Sequence, residues 1–505
     1  MSAPNFICAG EIIRAAPIEA CRPVARHVLD VAGWNAMTAA LAGAPLDLLA
    51  LWADTQQVHA LFEDTAAHET LLASVPVVAG HYPALSPQRP GAALFERMVH
   101  DLWGHVADGA ADQRPWLDHG RWDVAAPMSP RPTPNAGPFE PPEFFPAGEG
   151  LHQVAVGPVH AGIIEPGHFR LTVQGEAVAR LELRLGYAHK GTLLLLRGKT
   201  PRSAARFAAR LSGDSTVAHG IAFARAAEAA SATDAPPRAH ALRAVMAEME
   251  RVANHLLDIG AVVNDAAWAI GPARFGVLRE AMLAAAQAAF GHRLMMDVVV
   301  PGGLVADIAP GGAAAVIAAL DAVAAALPTL LRLYDGTASL ADRMVGTGRI
   351  TAEYAAAYAA GGVVGRASGG IRDLRRSPSY PPYDALKVRA PTLHAGDVDA
   401  RVRLRFAELD ESARLLRALL AALPEGAVSV SLPMAGGEGL GWAEGFRGDI
   451  WHWMRLDGGL IGSAFLRDPS WLHWPLVEAA MAGAIMADFP LLNRSVNASY
   501  SGVDL

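Results

Sequence analysis

The sequence predicts an α+β protein in which a small N-terminal α+β domain precedes a mainly helical bundle that carries small antiparallel sheets. Three observations predict this class. A proline-rich run at 127–146 interrupts the chain, strand-like alternation occurs on both sides of it, and long Ala/Leu-rich stretches of helical period fill the second half. With 505 residues, 52% hydrophobic and 18% charged, the chain has enough apolar volume for a folded core.

The domain boundaries follow from the proline run, because proline fixes φ and removes a backbone hydrogen-bond donor. We assign residues 1–126 to the N-terminal α+β domain, 127–150 to a linker and 151–505 to the second domain. The first domain mixes strand-like and helical runs, the strands at 46–52 and 71–78 and the helices at 34–41 and 90–102.

The second domain opens with two alternating segments, 153–156 and 169–185, and the dipeptide Gln174-Gly175 lies inside the second one. This pattern predicts a short antiparallel sheet with a tight turn. A bundle of helices follows, with apolar residues at helical spacing in five stretches, 203–231, 238–268, 274–290, 312–333 and 398–423.

Charge and cysteine content exclude several functional classes. A net charge of -8 provides no broad positive field for a phosphate backbone, so we expect no nucleic-acid partner. The cysteines, Cys8 and Cys21, are both near the N-terminus, which implies no disulfide framework and fits a reducing cytoplasm. In the first 14 residues, acidic Glu11 lies inside the one apolar stretch and no basic leader precedes it, so we expect no export signal.

One apolar stretch, 311–333, is long enough to be considered as a membrane span. Asp321 at its centre and Pro328 near its end argue against that assignment. We predict a soluble core helix with one buried stripe, composed of Ile317, Leu320, Ala324, Leu327 and Leu331.

Two imidazoles and a carboxylate lie close together in the segment 157–170, which reads GPVHAGIIEPGHFR. His160, Glu165 and His168 could form a proton relay, because histidine titrates near neutrality and burial raises a glutamate pKa towards it. The alternative interpretation is an ordinary polar loop.

Two further motifs lie on the predicted helices. In 210–219, Ser212, Asp214 and Ser215 precede a helical run, which favours helix capping. In 248–258, steps of three and four place a set of polar side chains on one helix face, where they form either a site or a salt-bridged solvent face. That set comprises Glu248, Arg251, His255 and Asp258.

The remaining motifs contain arginines beside glycines. Segment 366–376 could order a carboxylate or a cofactor, and a solvated loop is equally compatible with it. Arg447, between Phe446 and Gly448, is typical of a hairpin that projects a cation inward, and ordinary salt bridging is the alternative. The glycine run 436–441 lacks the strand and crossover helix of a phosphate-binding loop, so we discount it.

In this order the segments resemble one protein family. The chain is similar to the large-subunit superfamily that includes the forty-nine-kilodalton subunit of complex I and the nickel-iron hydrogenase large subunits, above all those of the hydrogenase-4 and formate hydrogenlyase type. The N-terminal domain resembles the thirty-kilodalton subunit of complex I. The pieces that carry the resemblance include GPVHAGIIEPGHFRLTVQGE, RLSGDSTVAH, MAEMERVANHLLDIGAVVNDAAW, FGHRLMMDVVVPGG, GDVDARVRLRFAELDES and GFRGDIWHWMRLDGG, and for the first domain HYPALSPQRPGAALFERMVHDLWGH.

The resemblance implies roles for individual residues. Glu165 falls where the family has its proton-transfer glutamate, and Arg447 where it has an active-site arginine. Further matching positions are His160, His168, Arg251, His255 and Asp258.

The sequence departs from the hydrogenases at the metal ligands. Nickel-iron subunits bind their metals through two CxxC pairs, because soft thiolates suit that centre. Here Ser212 and Ser215 correspond to the first pair, no cysteine follows Cys21, and the second pair is replaced within 488–495, which begins at Asp488. We therefore expect no metal on this chain and no hydrogen activation by it.

The resemblance thus implies an oxidoreductase subunit that couples electron transfer to proton movement in a membrane-associated complex, peripheral on the cytoplasmic face of the inner membrane. The expected partners are an iron-sulfur small subunit of the complex I twenty-kilodalton type, which carries the cluster, a ferredoxin-like subunit and membrane subunits of the proton-pumping, antiporter-like type. The candidate acceptor is a quinone at the subunit interface. Two alternatives stay open: an active nickel-iron hydrogenase, and a structural subunit of an ion-transporting complex without redox chemistry.

Overall fold

The computed structural model describes residues 8–135, 143–162 and 164–505, and it confirms the α+β class. The elements of its first part are, in chain order, α1 (Ala9–Ala15), β1 (Ile18–Glu19), β2 (Cys21–Arg22), β3 (Arg26–Val28), α2 (Val31–Ala40), β4 (Leu46–Ala53), β5 (Gln57–Asp64), β6 (Glu69–Pro76), β7 (His81–Pro83), α3 (Ala92–Trp103), β8 (Val106–Asp108), β9 (Val124–Ala125) and β10 (Thr133–Pro134).

A five-stranded sheet with the order β1-β3-β6-β5-β4 forms the centre of this part. The strands predicted at 46–52 and 71–78 and the helices predicted at 34–41 and 90–102 correspond to β4, β6, α2 and α3. Strand β4 is buried along almost its whole length, because α3 packs on it and Trp52 packs against Trp453 and Phe465 of the second part. Its near-continuous apolar sequence reflects this two-sided burial.

The predicted linker is partly ordered and partly outside the described residues, since 136–142 are not described. Strands β9 and β10 pair with each other, and β10 lies inside the predicted linker. Met128 is buried, and its backbone N–H donates to the Leu102 carbonyl at 2.8 Å. The start of the proline-rich run therefore lies against the end of α3.

The second part contains most of the helices. Its elements are β11 (His152–Val156), β12 (His168–Gln174), β13 (Ala177–Arg184), α4 (Thr192–Leu196), α5 (Pro201–Ala209), α6 (Thr216–Ala230), α7 (Pro237–Asp265), α8 (Ile270–Phe290), β14 (Val299–Val300), β15 (Gly303–Leu304), α9 (Gly312–Asp335), α10 (Ala338–Met344), α11 (Ala352–Ala357), α12 (Gly362–Ala367), α13 (Val398–Ala421), β16 (Gly437–Glu444), β17 (Asp449–Asp457), β18 (Leu460–Arg467), α14 (Ser470–Met481), α15 (Phe489–Val496) and α16 (Ser501–Asp504).

The predicted antiparallel sheet is confirmed, with β11, β12 and β13 in sequential order and a turn at Gly175. Helices α7, α8, α9 and α13 pack together as the predicted bundle. The stretch 203–231 forms two helices, and the second begins after Ser215, where the sequence places the start of a helical run. It divides into α5 and α6, because the chain leaves the helical path at 210–215 to form a loop.

A second sheet near the C-terminus has the order β18-β17-β16-β2. The sequence does not predict its last member, because β2 comes from the N-terminal part and pairs in parallel with β16. Helix α6 lies directly on β16. A Cβ atom added at Gly439 would lie 2.1 Å from the Ala226 carbonyl oxygen, so the glycine run provides close helix-strand packing, and a phosphate loop is excluded there.

Helix α9 is the predicted apolar helix at 312–333. Among the described residues it is the helix that is long and apolar enough to cross a membrane by length and composition, and most of its apolar stretch lies outside the core. It has one buried stripe as predicted, but in a different phase, formed by Val316, Leu320, Val323, Leu330 and Tyr334. The predicted stripe is wrong at Ala324, which is exposed, because alanines on every face leave the apolar period poorly defined.

Candidate functional site

The loop between α5 and α6 carries a set of hydroxyl and carboxylate groups. The Ser212 hydroxyl lies 2.8 Å from the Ser499 hydroxyl and 3.0 Å from the Asp214 carboxylate. The capping interpretation of this motif is wrong, since neither Ser212 nor Ser215 makes a side-chain cap. Glu250 of α7 caps α6 instead, accepting bonds from the first amides of that helix at 2.7 and 3.1 Å.

Arg447 reaches this loop from the turn between β16 and β17, so the structure does contain the hairpin that the sequence predicts. Its guanidinium donates to both carboxylate oxygens of Asp214, at 2.6 and 2.5 Å, and to the Ser215 hydroxyl at 3.0 Å. The arginine is buried, whereas the Asp214 side chain is 38% exposed. Although desolvation opposes the effect, Arg447 lowers the pKa of Asp214 and keeps it ionised.

These residues do not fit a nickel-iron centre. The first ligand pair would consist of the Ser212 and Ser215 hydroxyls, which are poor ligands for that centre. A fixed cation, Arg447, already lies within 3.4 Å of both hydroxyls. Within the described residues no cluster of His, Cys, Asp and Glu could hold a metal ion.

Two histidines and an aspartate lie buried behind the serine loop. The His219 ring bonds Asp468 through Nε2 at 2.9 Å and the His452 ring through Nδ1 at 3.0 Å. Burial, followed by the neighbouring His219, lowers the pKa of His452 well below its usual range, so this ring is neutral. The backbone N–H of Ser470 donates to Asp468, and the Ser470 hydroxyl accepts from the Ser499 amide.

The segment 497–501 connects the loop with the other candidate residues. The Asn497 carbonyl accepts a bond from Arg447, and its side chain donates to Asp258 at 2.8 Å. The Tyr500 hydroxyl lies 3.4 Å from His160, and the Ser501 amide donates to Glu165 at 2.9 Å. The structure therefore brings His160, Glu165, Asp258, Arg447 and Ser212 to one short segment.

Two other candidates are placed differently. His168 begins β12, packs on Phe144, and has a pKa lowered to about 4 by burial and by Arg170 and Arg184. That pKa makes it a weak proton acceptor at neutral pH. Asp488 pairs with Arg343 at 2.8 Å, and the residue that meets Ser212 is Ser499 rather than a member of 488–495.

The polar face predicted on α7 is buried, so the solvent-face interpretation is wrong. Glu248 accepts bonds from Tyr383 at 2.7 Å and Ser412 at 2.6 Å, and it pairs with Arg251 and Arg375. Although burial opposes it, the two arginines lower the pKa of Glu248 to about 2. Fixed negative charge at this position holds two buried cations in place.

The same network extends through His255. Its Nε2 lies 2.6 Å from Glu408, which also contacts Arg366. Arg366 and Arg375 both pair with Asp373, so the solvated-loop interpretation of 366–376 is wrong for these two arginines. Burial, together with Arg405 and Arg251, keeps the pKa of His255 well below its usual range.

The network contains more carboxylates than cations. All of its charged members are at most 1% exposed: the cations Arg251, Arg366 and Arg375, and the carboxylates Glu248, Asp373, Glu408 and Glu444. Three cations cannot neutralise four carboxylates, and an unbalanced buried charge is costly. Glu444 carries the missing proton, because burial and the neighbouring Asp373 raise its pKa to about 8.

We expect Glu444→Gln to flatten the pH dependence of stability. The pKa of Glu444 is higher in the folded state than in the unfolded state, so its bound proton stabilises the fold. This contribution is full below the unfolded pKa of about 4.3 and is lost as the pH rises to about 8. The loss is at most ~1.4 kcal/mol per pH unit. The variant therefore gains stability relative to wild type from pH 5 to 8. Urea unfolding across this range measures the difference, with exposed Glu280→Gln as control. An unchanged pH slope would place the proton on another group.

Several residues of the site escape prediction from sequence. Glu408, Glu444 and Ser499 lie far along the chain from the residues that they contact. A weak signal exists for the last of them: 495–504 reads SVNASYSGVD, with polar residues recurring in an otherwise apolar terminal region. Nothing in a single sequence indicates which distant helix meets it.

Comparisons with known proteins agree with this arrangement. A family model described as the respiratory-chain NADH dehydrogenase 49 kDa subunit matches residues 273–435, and a nickel-dependent hydrogenase model matches residues 190–259. The D subunit of NADH-quinone oxidoreductase from Acidiphilium cryptum is 32% identical over 280 residues, which cover 55% of this chain and 69% of that protein. The chain belongs to the complex I 49 kDa and hydrogenase large-subunit family.

Other relatives in this family match more of the chain. Formate hydrogenlyase subunit 5 of Escherichia coli is 28% identical over 84% of this chain and 77% of its own length, and hydrogenase-4 component G of the same organism is 26% identical over 84% and 76%. A solved chain from the membrane-bound sulfane sulfur reductase, an archaeal respiratory membrane complex, has 22% identity and a TM-score of 0.67, covering 72% of this chain and all of that one. This last likeness shows a shared fold.

Membership of this family makes the chain an oxidoreductase subunit and confirms the predicted resemblance. The hydrogenase match includes the serine loop and most of α7, and the match to the complex I subunit includes α13 with Glu408. The two matches thus meet in the buried network, where α7 and α13 pack together.

Proposed function

We propose that this chain is the large subunit of a membrane-associated complex in which electrons from an iron-sulfur cluster on a partner subunit reach an acceptor at the subunit interface, while this chain moves the accompanying protons. The candidate acceptor is a quinone. The observation that carries the proposal is the insertion of Arg447 between Asp214 and two serines, beside retained acid-base groups. Electron transfer with proton movement needs those groups and does not need a metal on this chain.

The geometry supports distinct tasks for the acid-base groups. Glu165 is exposed at the edge of the site and is held by the Ser501 amide, so it can exchange protons with solvent or with a partner surface. Asp258 is buried and lies one residue, Asn497, away from Arg447. We propose that protons enter through Glu165 and are stored at the polar face of α7. Storage is assigned to that face because the buried network that includes Glu444 holds one proton near neutral pH.

The names of the relatives support the choice of partners. They include a membrane-bound hydrogenase subunit alpha from Pyrococcus furiosus and NADH-quinone oxidoreductase subunits. By analogy within the family, we propose an iron-sulfur small subunit, a ferredoxin-like subunit and antiporter-like membrane subunits as partners, on the cytoplasmic face of the membrane.

The experiment uses the assembled complex purified from membranes. We expect quinone reduction by dithionite-reduced complex, with nickel well below one atom per complex. Glu165→Gln should slow turnover and proton uptake by about 10²-fold or more, the usual contribution of one acid-base group, while the partner cluster is still reduced. The matched control is the exposed Glu176→Gln on the β12–β13 turn.

Each failure has a separate meaning. Stoichiometric nickel with hydrogen evolution would establish the hydrogenase alternative. Unchanged turnover and proton uptake in Glu165→Gln would remove the relay role. A complex whose small subunit holds no reducible cluster would make this chain a structural subunit of an ion transporter.

A further inference from the structure

The segment 185–213 has a charge opposite to that of the whole protein. It contains Lys190, Arg197, Lys199, Arg202, Arg206 and Arg210 and no aspartate or glutamate, in a chain of net charge -8. A run of this length without an acidic residue concentrates positive potential on one part of an otherwise acidic molecule. The segment ends at the serine loop of the site.

Exposed leucines lie beside these cations. Helix α4 buries Leu193 and Leu196 against the core, whereas Leu194 and Leu195 are 49% and 44% exposed. A single exposed leucine is common, but two adjacent ones next to a basic cluster form a surface of mixed apolar and cationic character.

Helix α5 presents cations on its outer face. It buries Ala204, Ala205 and Ala208, and it exposes Arg202 and Arg206, which are four residues apart and therefore on the same side of the helix. Arg197 is exposed in the connection between α4 and α5.

The cations of this surface are largely without carboxylate partners. In the part of the chain that the structure describes, Arg197, Arg202 and Arg206 form no ion pair, and the Arg206 guanidinium lies over the Phe207 ring at 5.2 Å. Arg210, in contrast, pairs with Asp297. Three exposed cations are therefore available to an external anion.

We propose that this basic leucine surface, formed by Leu194, Leu195, Arg197, Arg202 and Arg206, binds the anionic headgroups of a membrane. The inference rests on the proposed function in one respect, the membrane association of the complex. The apolar pair would enter the headgroup boundary while the long cationic side chains contact phosphates. A lipid surface fits better than an acidic protein, because the leucines protrude on a short helix, and long unpaired side chains adapt to mobile headgroups.

The surface would also orient the redox site. The chain passes from Arg206 at the end of α5 to Ser212 in six residues. Anchoring α4 and α5 at the membrane would hold the serine loop and Arg447 close to the bilayer, where an apolar acceptor such as a quinone resides.

The test measures flotation of the purified full chain with lipid vesicles. One set contains phosphatidylcholine alone, and the other also contains phosphatidylglycerol. We expect binding to the anionic vesicles only, weakened by salt. Replacing Arg197, Arg202 and Arg206 by glutamine should reduce the partition coefficient by roughly 100-fold, since each basic residue contributes roughly fivefold. Leu194→Ser with Leu195→Ser should weaken binding at high salt more than at low salt.

The matched control neutralises three exposed arginines elsewhere, Arg274, Arg349 and Arg389, and should bind like wild type. Thermal unfolding verifies that each variant folds. Equal binding to both vesicle sets, or equal loss in the control, would overturn the proposal. If wild type ignores anionic vesicles and the arginines are instead needed to bind the small subunit, the surface belongs to an acidic protein.

The outcomes separate the two proposals. If the full chain binds no vesicles while the assembled complex still reduces quinone, the lipid surface alone is overturned. If the full chain binds anionic vesicles while the assembled complex transfers no electrons, the proposed function alone is overturned.

Discussion

Glu248→Ala is expected to lower the free energy of unfolding by about 3–5 kcal/mol, the cost of removing one partner from a buried ion pair. The change leaves Arg251 and Arg375 without their shared carboxylate in a site that is 0–1% exposed. It also leaves the hydroxyls of Tyr383 and Ser412 without their acceptor. Because the carboxylate is ionised throughout the neutral range, the loss should persist from pH 5 to 8. Urea unfolding measures it.

The control for Glu248 is Glu280→Ala, which breaks the exposed pair with Arg293. An exposed pair contributes about 0–1 kcal/mol. A Glu248 variant that loses no more stability than this control would show that the buried arginines find other acceptors. A second comparison, Glu248→Gln, keeps the volume and tests charge alone.

Gly441→Ala is expected to cost more than about 4 kcal/mol or to prevent folding, in the range reserved for severe core disruption. A Cβ at this position would lie 2.3 Å from both the Ala222 oxygen and the Ala226 nitrogen of α6. Both atoms are backbone, so no side chain can move to relieve the overlap. The helix and β16 would have to separate, and the hairpin that carries Arg447 would shift with them.

Gly276→Ala in α8 is the matched control, since an added methyl there meets no atom within 4 Å. The same change should stabilise that helix by up to about 1 kcal/mol. Soluble expression and thermal unfolding of both variants compare the two positions. A folded Gly441 variant with wild-type stability would show that α6 can retreat from the sheet without loss.

Local patterns were sufficient to predict many of the elements, because these depend on residues close in sequence. The antiparallel sheet at 152–184 follows from alternation, and α7 and α13 follow from helical period. The break at 210–215 was predicted only in part: its serines and aspartate indicated the start of a helix, but the loop itself is held by contacts with residues far along the chain. Likewise, the phase of α9 depends on the helices that pack on it.

The candidate site was likewise predicted only in part from the sequence. Helical spacing correctly placed Arg251, His255 and Asp258 on one face of α7, but period does not reveal whether a face is buried. The α7 face is buried because it contacts Glu408, which in turn pairs with Arg366. Both of these residues lie more than a hundred positions along the chain from that face. Tertiary packing likewise brings Glu250 to the start of α6 as its cap, and Ser499 to Ser212. Neither contact can be predicted from residues close in sequence.

The parallel pairing of β2 with β16 has a consequence for the order of folding. Arg26, next to that pairing, bonds Glu438 across a separation of 412 residues. During synthesis the N-terminal segment emerges long before its partner exists, so the sheet under Arg447 closes late and by a highly non-local contact, which is slow to form. Until then β16 would present an open edge, a template for pairing between chains. Strand β2, from the beginning of the chain, thus covers an edge of the last sheet and protects it from self-association.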